Sequence, residues 1–314
     1  MGKDIDTILF MWYTRFVNQI ERCVNMGFEI LTDSSCNLTD EQIKKYHLNI
    51  ISLTYYIGDE AFHSYQKDVD TDLKSVYTRL RNKDHITTSL ISYEDAYNAM
   101  DEILARGEDV LYLGFSSGIS GSFQNACNVA ADLREKYPER KLYCVDTLCA
   151  SMGEGLLVHY VVQLKNTGAD IETCRDWAEQ NKLKVCHSFT VDDLFFLKRG
   201  GRIGATTAIF GSLLGIKPVM KVDNEGKLCV IAKARGRKAS LDALVQSMKE
   251  KAVDPQKQTV FISHGDCLAD AEYVRDQVMK LFGVKEVVIN YVDAVIGAHS
   301  GPGTLALFFM GTER

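Results

Sequence analysis

DVLYLGFSSGISGSFQNACNVAADLREKYP, residues 109–138, decides the fold. Val110 to Phe115 is an apolar run too short for a helix and ends at small residues, which predicts a buried strand. Ser116 to Gly121 is a loop of glycines and hydroxyls, and Ser122 to Tyr137 reads as a helix stopped by Pro138. The same cadence extends outward in both directions. Upstream, Phe28 to Leu31 leads through Thr32, Asp33, Ser34 and Ser35 to a helix whose capping box is Thr39 with Gln42. An apolar strand over Ile50 to Ile57, a turn at Gly58 and Asp59, and a helix near Asp70 to Arg81 follow. Next come a loop at Thr87, Thr88 and Ser89 and a helix opened by Ser92 and Asp95 and closed by Gly107. Downstream, Leu142 to Val145 is another strand. Short apolar strands alternating with helices predict crossover units and a mainly parallel sheet with flanking helices.

After a helical stretch from Ala150 to about Lys182 the pattern changes. Val219 to Val222 and Leu228 to Ala232, joined by Asp223, Asn224, Glu225 and Gly226, read as an antiparallel hairpin. Strands at Val185 to Val191, Val260 to Ser263 and Val287 to Val292, with a helix over Asp270 to Phe282, complete a second unit. The expected class is therefore α/β in two lobes, each with a core of its own. Residues 28–165 form a mainly parallel lobe, and residues 166–314 form an α/β lobe with a mixed sheet. Residues 1–27 form an extension, in which Ile5, Ile8, Leu9, Trp12, Phe16, Ile20 and Val24 follow the spacing of an amphipathic helix. That apolar run is too short to span a bilayer and its acidic flank does not suit a signal peptide, so the helix is expected to pack on its own domain or on a twin subunit, with transient contact at a membrane surface as the alternative.

With 314 residues, 46% hydrophobic, and a net charge of −6, nothing global draws the chain to nucleic acid. Nine cysteines without a C-x-x-C pair read as reduced thiols of a cytoplasmic protein. Seven histidines show no paired ligand spacing, so no metal is expected.

Four segments could carry chemistry. Ser116 to Gly121 lies where a strand gives way to a helix, a position whose free N–H groups suit an anion. The same segment satisfies G-x-S-x-G, and Asp293 and His299 follow in the order of a hydrolase triad, so a serine esterase using Ser116, Asp293 and His299 is the rival reading. Thr87, Thr88 and Ser89 add a second hydroxyl cluster that could face the same crevice and hold a carboxylate with neutral donors. Val295 to Gly303 places His299 among three glycines and a proline, as if at an exposed turn. Asp192 to Arg202 leads into an apolar helical face containing Ile209, Phe210, Leu213, Leu214 and Ile216, and Lys233, Arg235, Arg237 and Lys238 form a basic cluster.

Taken in order, these segments resemble the DegV family of bacterial lipid-binding proteins, which includes the binding subunits of fatty acid kinase. The likeness runs from about Phe28 to the C-terminus. It rests on Thr32-Asp33-Ser34-Ser35, Thr88-Ser89, Ser116-Ser117-Gly118-Ile119-Ser120-Gly121, Val145-Asp146-Thr147 with Ser151-Met152-Gly153, Asp193-Leu194 to Gly201-Arg202-Ile203, Lys217-Pro218, and Gly297-Ala298-His299-Ser300-Gly301-Pro302-Gly303. The resemblance implies two lobes clasping one long-chain fatty acid at their junction, with no cofactor and no catalytic centre of the chain's own. Carried onto this sequence, it implies a carboxylate site at Thr88, Ser89, Ser117, Gly118 and His299. It also implies an acyl tunnel along Ile209, Phe210, Leu213, Leu214 and Ile216, and a docking face with Arg202, Arg235 and Arg237 for a separate ATP-dependent fatty acid kinase. One departure stands out: Leu90-Ile91 follows Thr88-Ser89 where many relatives have Gln-Pro.

Overall fold

The computed structural model describes residues 27–204 and 215–314. The expected N-terminal helix and the tunnel positions Ile209, Phe210, Leu213 and Leu214 lie outside the described residues.

Four parallel strands make the first sheet, in the order β2 (Asn49–Ile51), β1 (Phe28–Asp33), β6 (Asp109–Gly114) and β7 (Leu142–Asp146). Helices α1 (Asp40–Tyr46), α3 (Tyr93–Ala105) and α4 (Ser122–Lys136) connect them. The capping box at Thr39 and Gln42 forms as read, and Ser92 accepts the Asp95 N–H at the start of α3. The strand expected over Ile50 to Ile57 is two strands, because the chain turns at Ser52 and Leu53 into β3 (Thr54–Ile57). β3 pairs on one side with β4 (Glu60–His63) and on the other with β5 (Ile86–Ser89). Thr87, Thr88 and Ser89 therefore sit in a strand and not in a loop. Consecutive β-branched residues at Ile86, Thr87 and Thr88 favour that extended backbone, and the pairing fixes which hydroxyls face inward. Helix α2 (Leu73–Arg81) lies between β4 and β5 in sequence.

Helices α5 (Met152–Lys165) and α6 (Ile171–Asn181) occupy the stretch read as one helical region. The second sheet is mixed, in the order β10 (Leu228–Arg235), β9 (Ile216–Val222), β8 (Val185–Thr190), β13 (Leu305–Met310), β11 (Thr259–His264), β12 (Glu286–Tyr291). Only β11 and β12 run parallel. Helices α8 (Arg237–Lys251) and α9 (Leu268–Phe282) cover one face, and short helices α7 (Phe195–Arg199) and α10 (Ala294–Ser300) flank the lobe junction.

The chain does not keep one separate core per lobe. Leu156, Leu157, Val158, Val161 and Val162 leave α5 apolar nearly all round, the signature of a helix buried on every side. One core runs from Ile30, Leu111, Leu113 and Val145 of the parallel sheet through α5 to Val185, Phe189, Phe261 and Phe308 of the mixed sheet. Two outer cores complete the layers. Gly155 lets α5 approach the turn that follows β1, since a Cβ there would lie 2.6 Å from the Cys36 carbonyl oxygen and 2.9 Å from Leu38 Cδ2. Gly155→Ala is expected to lower stability by about 1–3 kcal/mol through this overpacking, read as a lower urea midpoint with unchanged m-value. A midpoint equal to wild type would mean the helix has room to move.

Candidate functional site

The mixed sheet sets the floor of a cavity of about 890 Å³, its open mouth included. Alternate residues of a strand share a face, so His187 and Phe189 of β8 and Ala306 and Phe308 of β13 line it together. Leu53, Phe115, Leu197, Val292, Val295 and Ile296 close it from the other lobe and the junction helices. Most of this wall is apolar. Thr88, Ser89, Ser120, Arg202 and His299 also line it, and Leu90 stands at its edge, 46% exposed.

The Thr88 hydroxyl and His299 Nε2 are 2.8 Å apart, joining β5 to α10. His299 occupies the last turn of a helix, half-buried, and is not displayed at a turn. The glycines act after it: Gly301 and Gly303 adopt φ of 81° and 77°, which only glycine takes without strain, and so return the chain to β13. Burial, then the nearby charges of Arg202 and Arg199, push the His299 pKa down to about 4. The ring is neutral at physiological pH, offering one donor and one acceptor. Gly200 makes space for it, since a Cβ there would lie 2.3 Å from His299 Nδ1.

Ser120 is the hydroxyl of the glycine-rich loop that reaches the cavity. Its Oγ lies 2.9 Å from Ser122 Oγ, and Ser122 Oγ accepts the Ile91 N–H at 3.2 Å, bracing this loop against the end of β5. Ser117 and Gly118 are placed elsewhere. Ser117 is exposed and its N–H donates to Asp146 Oδ1 at 3.2 Å. Gly118 packs on the β9–β10 turn, where a Cβ would meet the Glu225 carbonyl oxygen at 2.4 Å. The loop itself is held from beneath by Asp33, a fully buried carboxylate that accepts from the Tyr112 hydroxyl and the Phe115 N–H, both at 3.0 Å.

The elements of a serine hydrolase triad do not meet through hydrogen bonds. Ser116 donates to the Gly226 carbonyl at 2.8 Å, while Asp293 caps α10 through the Ile296 N–H and accepts from the Ser64 hydroxyl. His299 has Thr88 as its partner.

The three arginines lie in different surroundings. Arg202 lines the cavity and donates to the Gly200 carbonyl, and burial lowers its pKa without discharging a guanidinium. Arg235 is exposed at the end of β10. Arg237 is engaged by Asp270 at 2.9 Å and by Asp192 at 3.5 Å. Ile216 opens β9 opposite Arg235. Sequence reasoning passed over Ser120 and Asp33 as individual residues. The signal for Ser120 was its place in the loop between the carboxyl end of β6 and the start of α4, where open α/β sheets bind ligands.

No helix among the described residues is long and apolar enough to cross a membrane. The sequence profile of the DegV family, described as an uncharacterised protein family, matches residues 27–312. A DegV domain-containing protein of Clostridium perfringens is 41% identical over 289 residues, covering 91% of this chain and 98% of that one. One from Lactococcus lactis is 31% identical over 283 residues, covering 90% and 97%. Among solved structures, a DegV family protein of Thermus thermophilus, described as binding fatty acid, superposes with a TM-score of 0.82 at 27% identity, covering 91% of this chain and all of the other. DegV of Bacillus subtilis, described as a fatty acid binding protein, gives 0.78 at 26% identity, covering 92% of this chain and 100% of its own. The chain belongs to the DegV family.

Proposed function

We propose that this chain is a non-catalytic carrier that buries one long-chain fatty acid in the cavity and presents its carboxylate at Thr88, Ser120 and His299. A separate ATP-dependent kinase then phosphorylates that carboxylate. The observation that carries this reading is a cavity whose wall is mostly apolar and in which Thr88 and a neutral His299 are already paired. The fatty acid binding described for the Thermus thermophilus and Bacillus subtilis proteins supports the ligand class. Ser89 lies beside Thr88, and Arg202 adds a cation that offsets the cost of withdrawing a carboxylate from water. In this reading Arg202 serves the ligand end as well as the docking face, with exposed Arg235 as the outer contact for the kinase and Arg237 behind it. The free thiols among the described residues suit a reducing, cytoplasmic setting.

Each buried methylene contributes about 0.8 kcal/mol, so a long acyl chain gains on the order of 10 kcal/mol before entropy and desolvation costs. Such a ligand survives purification. Organic extraction followed by mass spectrometry is expected to release about one long-chain fatty acid per chain. Protein that is lipid-free and takes up no fatty acid on incubation would end the proposal. The carrier role has its own check: a fluorophosphonate probe should leave Ser116 unlabelled, whereas covalent labelling there would restore the esterase reading.

A further inference from the structure

Two thiols lie outside the cavity wall on facing elements. Tyr112 of β6 is the in-register neighbour of Cys144 on β7, so both side chains leave the same face of the parallel sheet. Phe123 of α4 stacks on the Tyr112 ring at 6.3 Å between centroids with 12° between planes. Cys127 follows Phe123 by one helical turn on the same side of α4, which brings it over Cys144. Further along, Arg134 of α4 donates from Nε and a terminal nitrogen to the Leu142 carbonyl at 3.0 and 2.8 Å, locking the helix against β7 in this register. Cys144 and Cys127 therefore lie on the facing sides of β7 and α4, and both residues are partly exposed.

We infer that Cys127 and Cys144 form a reversible dithiol–disulfide site, in which a hydroperoxide oxidises the Cys127 sulfur and the Cys144 thiol closes the bond. In the first step the Cys127 thiolate attacks a peroxide oxygen and gives up an electron pair. The O–O bond breaks, a sulfenic acid forms, and the leaving oxygen takes a proton as water or an alcohol. In the second step Cys144 sulfur attacks Cys127 sulfur, the S–O bond breaks, and water leaves with the Cys144 proton. Two thiols are oxidised and one peroxide is reduced.

The chemistry selects this pair. The hydrogen bond from Cys144 and the charge of Arg134 bring the Cys127 pKa below that of an ordinary thiol. Burial pushes Cys149 and Cys267 up to about 12 and Cys174 and Cys186 up to about 11, so those sulfurs hold little thiolate. The more buried Cys144 is the resolving partner, held as a thiol.

The test exposes the full-length protein to dilute hydrogen peroxide, alkylates the remaining thiols, and maps peptides. The expected product is a linked Cys127–Cys144 peptide, lighter by two hydrogens, that dithiothreitol reverses. Cys127 should be consumed roughly ten-fold faster than Cys174. In Cys144→Ser, a cyclic diketone should trap a sulfenic acid at Cys127, and the wild-type map carries the test should that variant fold poorly. Recovery of Cys127 and Cys144 as alkylated thiols while other cysteines oxidise would overturn the inference, as would a Cys127 bridge to a second copy of the chain.

Discussion

Replacing Glu154 by Gln is expected to lessen the loss of stability of the ligand-free protein as pH rises from 6.5 to 8. Glu154 is fully buried at the start of α5, between the two sheets. Its Oε1 accepts the Thr32 hydroxyl at 2.9 Å, and Oε2 has no hydrogen-bond partner. Burial, together with the carboxylates of Asp33, Asp293 and Asp146, raises its pKa well above the ordinary value. The folded protein therefore keeps a proton that the unfolded chain releases above pH 4.5. Because the folded state then binds more protons, stability falls with rising pH until the folded pKa is passed, by up to about 1.4 kcal/mol per pH unit. Histidines act in the other direction and in another window. Burial lowers the pKa of His159 and His299 to about 4 and holds that of His187 well below the ordinary value, so their neutral forms lose stability as pH falls below 6.5. Above 6.5 the histidines no longer contribute, and buried thiols, raised to about 11–12, add only a small decline of the same sign that Glu154→Gln leaves in place. Gln reproduces the shape of the protonated acid and cannot ionise, so urea midpoints of Glu154→Gln should decline less from pH 6.5 to 8 than those of wild type. Parallel slopes would show that Glu154 carries no such proton.

The alternation of strand and helix along β1, β6 and β7 was legible because each of these strands is an apolar run ended by small or acidic residues, and α1 and α3 carry their own caps at Thr39 and Ser92. The β9–β10 hairpin was legible for the same local reason, the turn at Asp223 to Gly226. What escaped depends on pairing. β5 is short and rich in hydroxyls, so Thr87 to Ser89 look like a cap until β3 supplies the neighbouring strand. β13 is the chain's last strand, yet it lies inside the mixed sheet between β8 and β11, an order no local pattern encodes. The shared core around α5 was hidden likewise: a helix apolar on all sides shows that it is buried, not between what. At the site, residue types were readable and directions were not. Thr88 and His299 do come together, but the loop hydroxyl in the cavity wall is Ser120, because Ser116 and Gly118 are anchored to the β9–β10 turn and Ser117 faces solvent. The family resemblance pointed within that loop to Ser117 and Gly118, whereas the residue of the loop that lines the cavity with a hydroxyl is Ser120.

That distinction sets the second expected result. Thr88→Val removes the hydroxyl paired with His299 and leaves a half-buried imidazole nitrogen without its partner, in a side chain of nearly the same shape. Ser120→Ala removes the loop hydroxyl that lines the cavity. A hydrogen bond to a charged group is worth about 1.5–3 kcal/mol, so each change should weaken fatty acid binding roughly 10- to 100-fold, measured by displacement of a fluorescent acyl probe. Ser117→Ala should leave binding within about two-fold of wild type, because that side chain is exposed and only its backbone N–H, bound to Asp146, is used. The opposite pattern, with Ser117 sensitive and Ser120 indifferent, would mean the carboxylate lies on the other side of the loop. The state of His299 supplies an independent arm. With its pKa pushed to about 4, the ring gains no charge between pH 8 and 6.5, so affinity should stay level across that range. An ordinary imidazole would acquire positive charge toward the acid end and bind the carboxylate more tightly there. A neutral His299 also explains the chemistry proposed for the site: hydrogen bonds from Thr88, Ser120 and the imidazole can hold the carboxylate while leaving its oxygens nucleophilic toward a phosphoryl group, and Arg202 supplies attraction without any proton to give away.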